Sequence, residues 1–322
     1  MKRPVGRLCL SILLIIMAIS LVIPVGCRSA KTPASPVVVD LASTRVPNID
    51  LDAYVYVRQD NPTKIPGKMI GAPADINVES VALWGVATND QLTIGGALTL
   101  VNAGDATALR GKIPNSIWSS ISDRTIYFVQ DSGEAADKLK NAISKNDFKN
   151  FQDQQALAEV ARLPNSAATK LAAIAVVKPS PALVKLVARY TDQKMSAMAN
   201  SLIASARLQP VVTGLYSGGQ IDIADLAQRL QNGTIWDIDL GMAIILTSDF
   251  PAALVSPIVN QQLGNSGFAA STVGGLTEYK GTLTSAGGKT MPVLMTVDGS
   301  SIAAAVAYKE SYAQTLITSV KR

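Results

Sequence analysis

The sequence contains no histidine and only two cysteines. Without histidine, the chain lacks the commonest general base, the Ser-His and Cys-His nucleophile pairs, and the commonest ligand of transition metals. Cys9 lies inside an apolar N-terminal run, and Cys27 follows that run directly. If the run is removed, one cysteine remains and no intramolecular disulfide can form. The sequence therefore predicts no catalytic residue, no metal site and no bound cofactor.

Charged and aromatic residues are also scarce. They make up 16% and 5% of the 322 residues, whereas 48% are hydrophobic, which is typical of a globular chain. Lys2, Arg3 and Arg7 supply three of the five net positive charges, so the rest of the chain carries only +2. Because no dense group of basic residues is interleaved with aromatics, we expect no nucleic-acid partner.

The N-terminus combines a basic start with a long apolar run. After Lys2, Arg3 and Arg7, residues 8–25 form an 18-residue apolar stretch that ends at Gly26-Cys27. Basic residues before an apolar core keep that end in the cytoplasm and direct the following chain across the membrane. The pattern predicts that residues 1–26 are an export signal.

Residues 1 to about 35 resemble the leader of bacterial lipoproteins, which ends in a small residue directly before a cysteine. Gly26 and Cys27 fit this pattern, whereas Pro24 stands where the family usually has leucine. The resemblance implies that the Cys27 thiol is lipidated and that a peptidase then cuts before it. Two or three acyl chains, such as palmitate, anchor a protein stably where one does not. The expected location is the extracytoplasmic face of the cell membrane.

Two other interpretations of the leader stay open. An uncut transmembrane helix is one, although 18 apolar residues barely span a hydrocarbon core of about 30 Å. Ordinary signal cleavage with full release is the other. All three place the folded part outside the cytoplasm. Residues 27–48 contain Pro33, Pro36 and Pro47 among serines and threonines, a composition that favours an extended tether.

The hydrophobic pattern of the remaining chain predicts an α+β fold, with largely antiparallel sheets and helices packed on one face. Strands are predicted over residues 51–58, 78–88, 92–101, 125–130, 171–177, 210–217, 235–247, 268–274, 276–284, 291–297 and 302–308. Helices are predicted over 104–109, 116–121, 133–144, 147–163, 181–208, 222–230, 309–320 and after Asp249. Asp298-Gly299 is a strong signal for a hairpin turn.

A weak internal similarity suggests a duplication. The two halves would be residues 49–163 and 168–322. One alignment places Asp75 to Trp84 on Asp237 to Leu246, and another places Ala97 to Val101 on Ala243 to Thr247. The two alignments disagree on register. The hypothesis therefore requires that the two halves share a strand order.

Few residue patterns suggest chemistry. Asp237 and Asp239 share one face of a predicted strand, with Asp222 and Asp225 upstream. Four carboxylates can hold a hard cation such as calcium, but the spacing does not fit an EF-hand loop. A solvated strand edge is the favoured interpretation. Asp50 and Asp52 repeat the pattern more weakly.

Three further patterns are interpreted as structural. Ser217-Gly218-Gly219 follows a strand and favours a tight turn over an anion site. Trp84, Trp118 and Trp236 are expected in the core rather than stacked on sugars. Met195, Met198 and Met242 are expected to form core rather than an adaptable apolar pocket.

The sequence thus favours a membrane-tethered, non-catalytic protein that binds or scaffolds an unidentified protein or apolar ligand at the cell envelope. A carrier of an apolar ligand such as a lipid is an alternative, which requires an apolar cavity of at least about 300 Å³. A hydrolase that uses carboxylates alone is another, which requires two or three acids in one cleft.

Overall fold

The structure, a computed structural model, describes residues 41–65, 75–88, 91–130, 133–166, 169, 171–178, 180–183, 208–217, 240–248, 251–265, 267–273, 276–284 and 290–320. The strands are β1 Arg45–Pro47, β2 Ala53–Ile65, β3 Ile76–Ala87, β4 Leu92–Leu100, β5 Trp118–Ser122, β6 Thr125–Val129, β7 Phe148–Asn150, β8 Leu171–Val177, β9 Leu208–Ser217, β10 Leu240–Ser248, β11 Ala269–Val273, β12 Leu276–Thr284, β13 Thr290–Asp298 and β14 Ser301–Ala307. The helices are α1 Ala103–Arg110, α2 Glu134–Ser144, α3 Gln154–Arg162, α4 Ala252–Asn265 and α5 Glu310–Ser319. No helix within these ranges is long and apolar enough to cross a membrane.

One sheet of twelve strands organises the described residues. Its order is β11-β12-β13-β14-β10-β9-β8-β2-β3-β4-β6-β5, and its neighbouring strands pair antiparallel. The strands β1 and β7 form a separate antiparallel pair. The α+β class and the largely antiparallel sheet are as predicted.

Side chains alternate along the strands between two apolar faces of the sheet, which we call face A and face B. On β2, Tyr54 and Tyr56 belong to the core of face A, whereas Val55 and Val57 belong to the core of face B. A strand that is apolar on both sides must be covered on both sides, since exposed apolar surface is unfavourable.

The helices accordingly lie on both faces, which corrects the prediction that they pack on one. Face A is covered by α2, α3 and α5, whose buried residues include Leu139, Val160 and Leu316. Face B is covered by α1 over the first half of the sheet and by α4 over the second. Reading the strands as one-sided ignored the apolar residues at their alternate positions.

Two local predictions were wrong. Residues 116–121, predicted as helix, contain β5, which pairs with β6 along its whole length. The helix predicted over 147–163 is divided: β7 pairs with β1, and α3 begins after Asp153, whose side chain accepts a hydrogen bond from the Ala156 backbone N–H at 2.9 Å. An N-cap of this kind fixes where a helix starts.

Several predicted elements lie largely or wholly outside the described residues. They are the leader, most of the tether, the helices at 181–208 and 222–230, Asp249 and the start of the strand predicted at 235–247. The predicted hairpin at Asp298-Gly299 is confirmed, with Gly299 at φ +60° and Asp298 paired with Ser301.

The two halves follow one connection plan. In the first, β2, β3 and β4 form a meander, α1 follows, and β6 returns beside β4 before α2. In the second, β8, β9 and β10 form the meander, α4 follows, and β14 returns beside β10 before α5. The second half adds the hairpin β11–β12 on the outside. The two first strands, β2 and β8, pair antiparallel and join the halves.

This plan matches β4 with β10, in agreement with the alignment of residues 97–101 on 243–247. It matches β3 with β9, which disagrees with the alignment of residues 75–84 on 237–246. Gly95 of β4 lies close to Leu139 of α2, and Gly241 of β10 lies close to Leu316 of α5. The shared strand order is what a duplication requires. The duplication itself stays a prediction.

Two buried tyrosines predict that the fold loses stability in alkali. Tyr54 and Tyr216 are 2% and 0% exposed, and burial raises the pKa of each phenol above its usual value of 10.0. Since the folded-state pKa is the higher one, the stabilisation is complete below about pH 10 and is lost as pH rises further.

We expect the free energy of unfolding, measured in urea, to fall above pH 10 by up to about 1.4 kcal/mol per pH unit for each tyrosine. Tyr216→Phe removes one titrating group, and the described residues include no hydrogen-bond partner for that hydroxyl. The variant should match the wild type at pH 7 and show a shallower alkaline slope. An unchanged slope would contradict the assignment to Tyr216.

Candidate functional site

A cleft with a mixed polar and apolar lining lies on face A, where α3 and α5 meet the outer strands of the second half. Its volume is about 90 Å³. The residues that line it are Arg162, Leu276, Glu278, Thr296, Asp298, Ser301, Ala303, Gln314, Ile317, Thr318 and Val320. A second cleft, of about 20 Å³ and mostly apolar, lies beside β2, β3 and β4.

The strand register brings the cleft residues together. Glu278 of β12 lies opposite Thr296 of β13, and Thr296 lies opposite Ala303 of β14. At the hairpin end, Asp298 pairs with Ser301. Because side chains alternate along a strand, residues two apart point into the same cleft. The helix α5 supplies the other wall with Ile317 and Thr318.

A partly buried hydrogen-bond network underlies the cleft. Arg162 Nη1 donates to Glu159 Oε2 and to Ser301 Oγ, each at 2.7 Å, and Thr247 Oγ1 donates to Glu159 Oε1 at 2.6 Å. Glu159 is 8% exposed. A charge so far from water is stable only with a partner, which Arg162 provides. The network ties α3, from the first half, to β10 and β14 of the second.

Negatively charged side chains outnumber positively charged ones in the lining of the cleft. The guanidinium of Arg162 is matched by Glu159, while the carboxylates of Glu278 and Asp298 also line the cleft. Ser301 accepts a hydrogen bond from a guanidinium, which has no acceptor and cannot take up a proton. This arrangement positions the Ser301 hydroxyl but does not activate it as a nucleophile.

The size of the cleft limits what it can hold. Sites that enclose a small molecule usually measure about 300–1,000 Å³. A cleft of about 90 Å³ therefore accommodates one side chain or a group of similar size. Its lining combines polar side chains with the apolar Leu276, Ile317 and Val320, and this mixture is suited to recognising part of a larger partner.

The structure gives Asp52 a structural role. Its Oδ2 accepts a hydrogen bond from the Ala87 backbone N–H at 2.7 Å, and its own backbone N–H donates to the Gly85 carbonyl. Asp52 thus fastens the start of β2 to β3, whereas Asp50 is exposed. Among the described residues, no group of three carboxylate, cysteine or histidine side chains could hold a metal ion.

The tryptophan prediction is confirmed where it can be checked. Trp84 is 1% exposed and packs near the rings of Tyr127 and Phe148, with centroids 6.3 and 6.1 Å away. Trp118 is half-buried against the same core, and Met242 packs beside the core of face B. The other candidate positions lie outside the described residues: Cys27, Met195, Met198, Asp222, Asp225, Trp236, Asp237, Asp239 and the glycines after Ser217.

The sequence reading missed the network beneath the cleft. Its signal was present in α3, where Glu159 falls one helical turn after Ala156 and beside Val160, both buried. A carboxylate on the inward face of a helix, with Arg162 three residues later, is a recognisable pattern for a buried ion pair. Ser301 and Thr247 carry no comparable signal because only the fold places them nearby.

Comparison of the chain with protein-family models, with curated proteins and with solved structures gives no significant match.

Proposed function

We propose that this protein is a lipid-anchored, non-catalytic protein that binds or scaffolds a partner at the extracytoplasmic face of the cell membrane. The single observation that carries the proposal is the leader, in which three basic residues and an 18-residue apolar run end at Gly26-Cys27. The acyl chains on Cys27 hold the N-terminus, and residues 28–40 separate the folded part from the surface. The predicted tether is shorter than 27–48, because Leu41 and Val46 are buried in the core of face A and β1 pairs with β7.

The folded part supports binding more than catalysis. The cleft is small, has a mixed polar and apolar lining and includes Arg162, which a partly buried ion pair with Glu159 holds in place. Its one hydrogen-bonded serine faces a guanidinium rather than a base. Tethering adds to weak recognition, because a membrane-bound partner then meets the protein at a high effective concentration.

The alternatives draw less support. An apolar carrier needs a cavity of at least about 300 Å³, and the larger described cleft measures about 90 Å³. A carboxylate hydrolase draws on Glu278 and Asp298, which line one cleft. Both alternatives stay predictions.

Replacing Cys27 with serine tests the anchor directly. We expect the wild-type chain, expressed in a bacterium, to partition into detergent and to have the intact mass of residues 27–322 plus a diacylglyceryl group. Cys27→Ser removes the thiol that carries the lipid, so the lipid mass should be absent and residues 1–26 should not be removed at this site.

Cys9→Ser is the matched control and should be processed like the wild type, because Cys9 lies inside the leader. A wild-type mass equal to the complete, unmodified chain would instead support an uncut helix. A mass without lipid and without leader would support release. Either result would overturn the proposed anchor.

A further inference from the structure

The strand β11 forms one rim of the twelve-stranded sheet. It pairs with β12 along its length, from Ala269 opposite Lys280 to Val273 opposite Leu276. The side chains of residues 269–272 are all exposed, although they alternate between the two faces of the sheet. The strand is thus open to solvent on both faces at residues 269–272, and no described strand pairs along its outer side.

Burial does not explain why this strand is present. The three core clusters include none of residues 269–272, whereas Tyr279 of the neighbouring strand lies in the core of face B. Among the described strands, the hairpin β11–β12 is also the part of the second half that has no counterpart in the first. The strand therefore extends the sheet without contributing to its core.

The chemistry of this rim favours strand pairing. A rim strand presents a row of backbone N–H and C=O groups, and proteins usually protect such a row with charges or proline. Residues 269–273 are Ala, Ala, Ser, Thr and Val, with neither a charge nor a proline. The opposite rim strand, β5, is less open, since residues 118–121 are half-buried.

We infer that β11 is an interaction surface at which a second copy of this chain pairs, β11 against β11, in an antiparallel arrangement. With Ser271 on the twofold axis, Ala269 lies opposite Val273 of the second copy, and Ala270 lies opposite Thr272. All of these residues are small and neutral, so no like charges oppose each other.

Nearby charges do not oppose the pairing. Glu278 and Lys280 lie one strand further in, on β12. The two copies of β12 would be separated by three strand spacings, about 14 Å, which exceeds the Debye length of about 8 Å. The chain already contains an antiparallel strand pair of this kind. The first strands of the halves, β2 and β8, pair with each other and join the two halves.

The pairing is weak in dilute solution. Five residues a side bury far less than the roughly 1,200 Å² of a stable interface. Copies anchored on one membrane meet at a much higher effective concentration, so the inference rests on the proposed lipid anchor for its biological setting. At the concentrations of a purified protein, the pairing should need trapping to be seen.

Disulfide trapping tests the pairing on the complete chain in native membranes. With the proposed anchor, Cys9 is removed with the leader and Cys27 carries the lipid, so neither native cysteine can form the disulfide. In Ser271→Cys, the cysteines of the two copies lie opposite each other on the twofold axis, within reach of a disulfide. Ala269→Cys is two residues from the axis, so its two copies are about 13 Å apart along the strands, beyond the limit of about 7 Å.

We expect oxidised Ser271→Cys to give at least tenfold more covalent dimer than Ala269→Cys. Ser120→Cys, at the centre of β5, is the matched control and should give little dimer. Adding Thr272→Lys should abolish the Ser271→Cys dimer, because two lysines then lie close to the junction. Equal dimer at residues 120 and 271, or a cross-link to a different protein, would overturn the inference.

Failure of the anchor and failure of the pairing are distinguishable. If the intact mass shows no lipid but concentrated, purified Ser271→Cys still forms the dimer, only the proposed anchor fails. If the chain carries the lipid and no cysteine placed at residues 269–272 gives a dimer, the pairing fails and the anchor stands.

Discussion

Replacing Glu159 with alanine should lower the free energy of unfolding by about 3 kcal/mol, because it leaves the partly buried guanidinium of Arg162 without its counter-ion. The Arg162 and Glu159 side chains are only 21% and 10% exposed, and Thr247 also loses its acceptor. The measurement is urea unfolding at pH 7, followed by circular dichroism.

Glu134→Ala is the matched control, since it also removes a helical glutamate with a basic partner. The Glu134 and Lys138 side chains are 83% and 61% exposed, and water replaces the lost contact, so little change in stability is expected. The double replacement Glu159→Met with Arg162→Met removes both charges and should recover much of the loss. Equal effects at residues 134 and 159 would show that the network does not hold the halves together.

Replacing Gly96 with alanine should also lower the free energy of unfolding by about 3 kcal/mol, through overpacking. A methyl group at this position would lie 2.5 Å from Phe128 Cζ, 2.7 Å from the Ala82 carbonyl oxygen and 2.8 Å from Leu83 Cδ2. The carbonyl belongs to the backbone of β3, so relief of this contact requires the β3–β4 pair itself to move.

Gly95→Ala, one residue earlier in the same strand, is the control. There the nearest atom to the added methyl is Leu139 Cδ1 at 3.3 Å, a side-chain end that can shift slightly. The change should cost less than about 1 kcal/mol, since alanine also lowers the entropy of the unfolded chain. If thermal unfolding ranks the two variants in the opposite order, the packing assigned to β3 and β4 is wrong.

Most strands could be predicted because each carries its own signal. The alternation along 51–58 and 92–101 and the turn at Asp298-Gly299 are local signals. The strand β4 and the last hairpin lie where these signals predict them, and β2 begins within its predicted range but continues to Ile65. Residues 116–121 were misread because a short segment containing Trp118 and Ile121 fits both periods, and only pairing with β6 makes it a strand.

The cleft could not be predicted in the same way. Arg162 and Ser301 are 139 residues apart in sequence, and their contact depends on the helix α3 crossing to the second half of the sheet. Glu278, Thr296 and Ala303 come together only through the register of three strands. Such contacts have no short-range signal, since register is set by pairing partners far along the chain.

The sequence alone therefore determined the α+β class, the antiparallel hairpins and the candidate lipidation site at Cys27, because each follows from residues that are close together in the chain. Only the tertiary structure decided that one sheet joins both halves, that helices cover both faces and that β11 forms an open rim. The reason is physical: local patterns fix which side chains need burial, but the contacts that bury them come from distant segments.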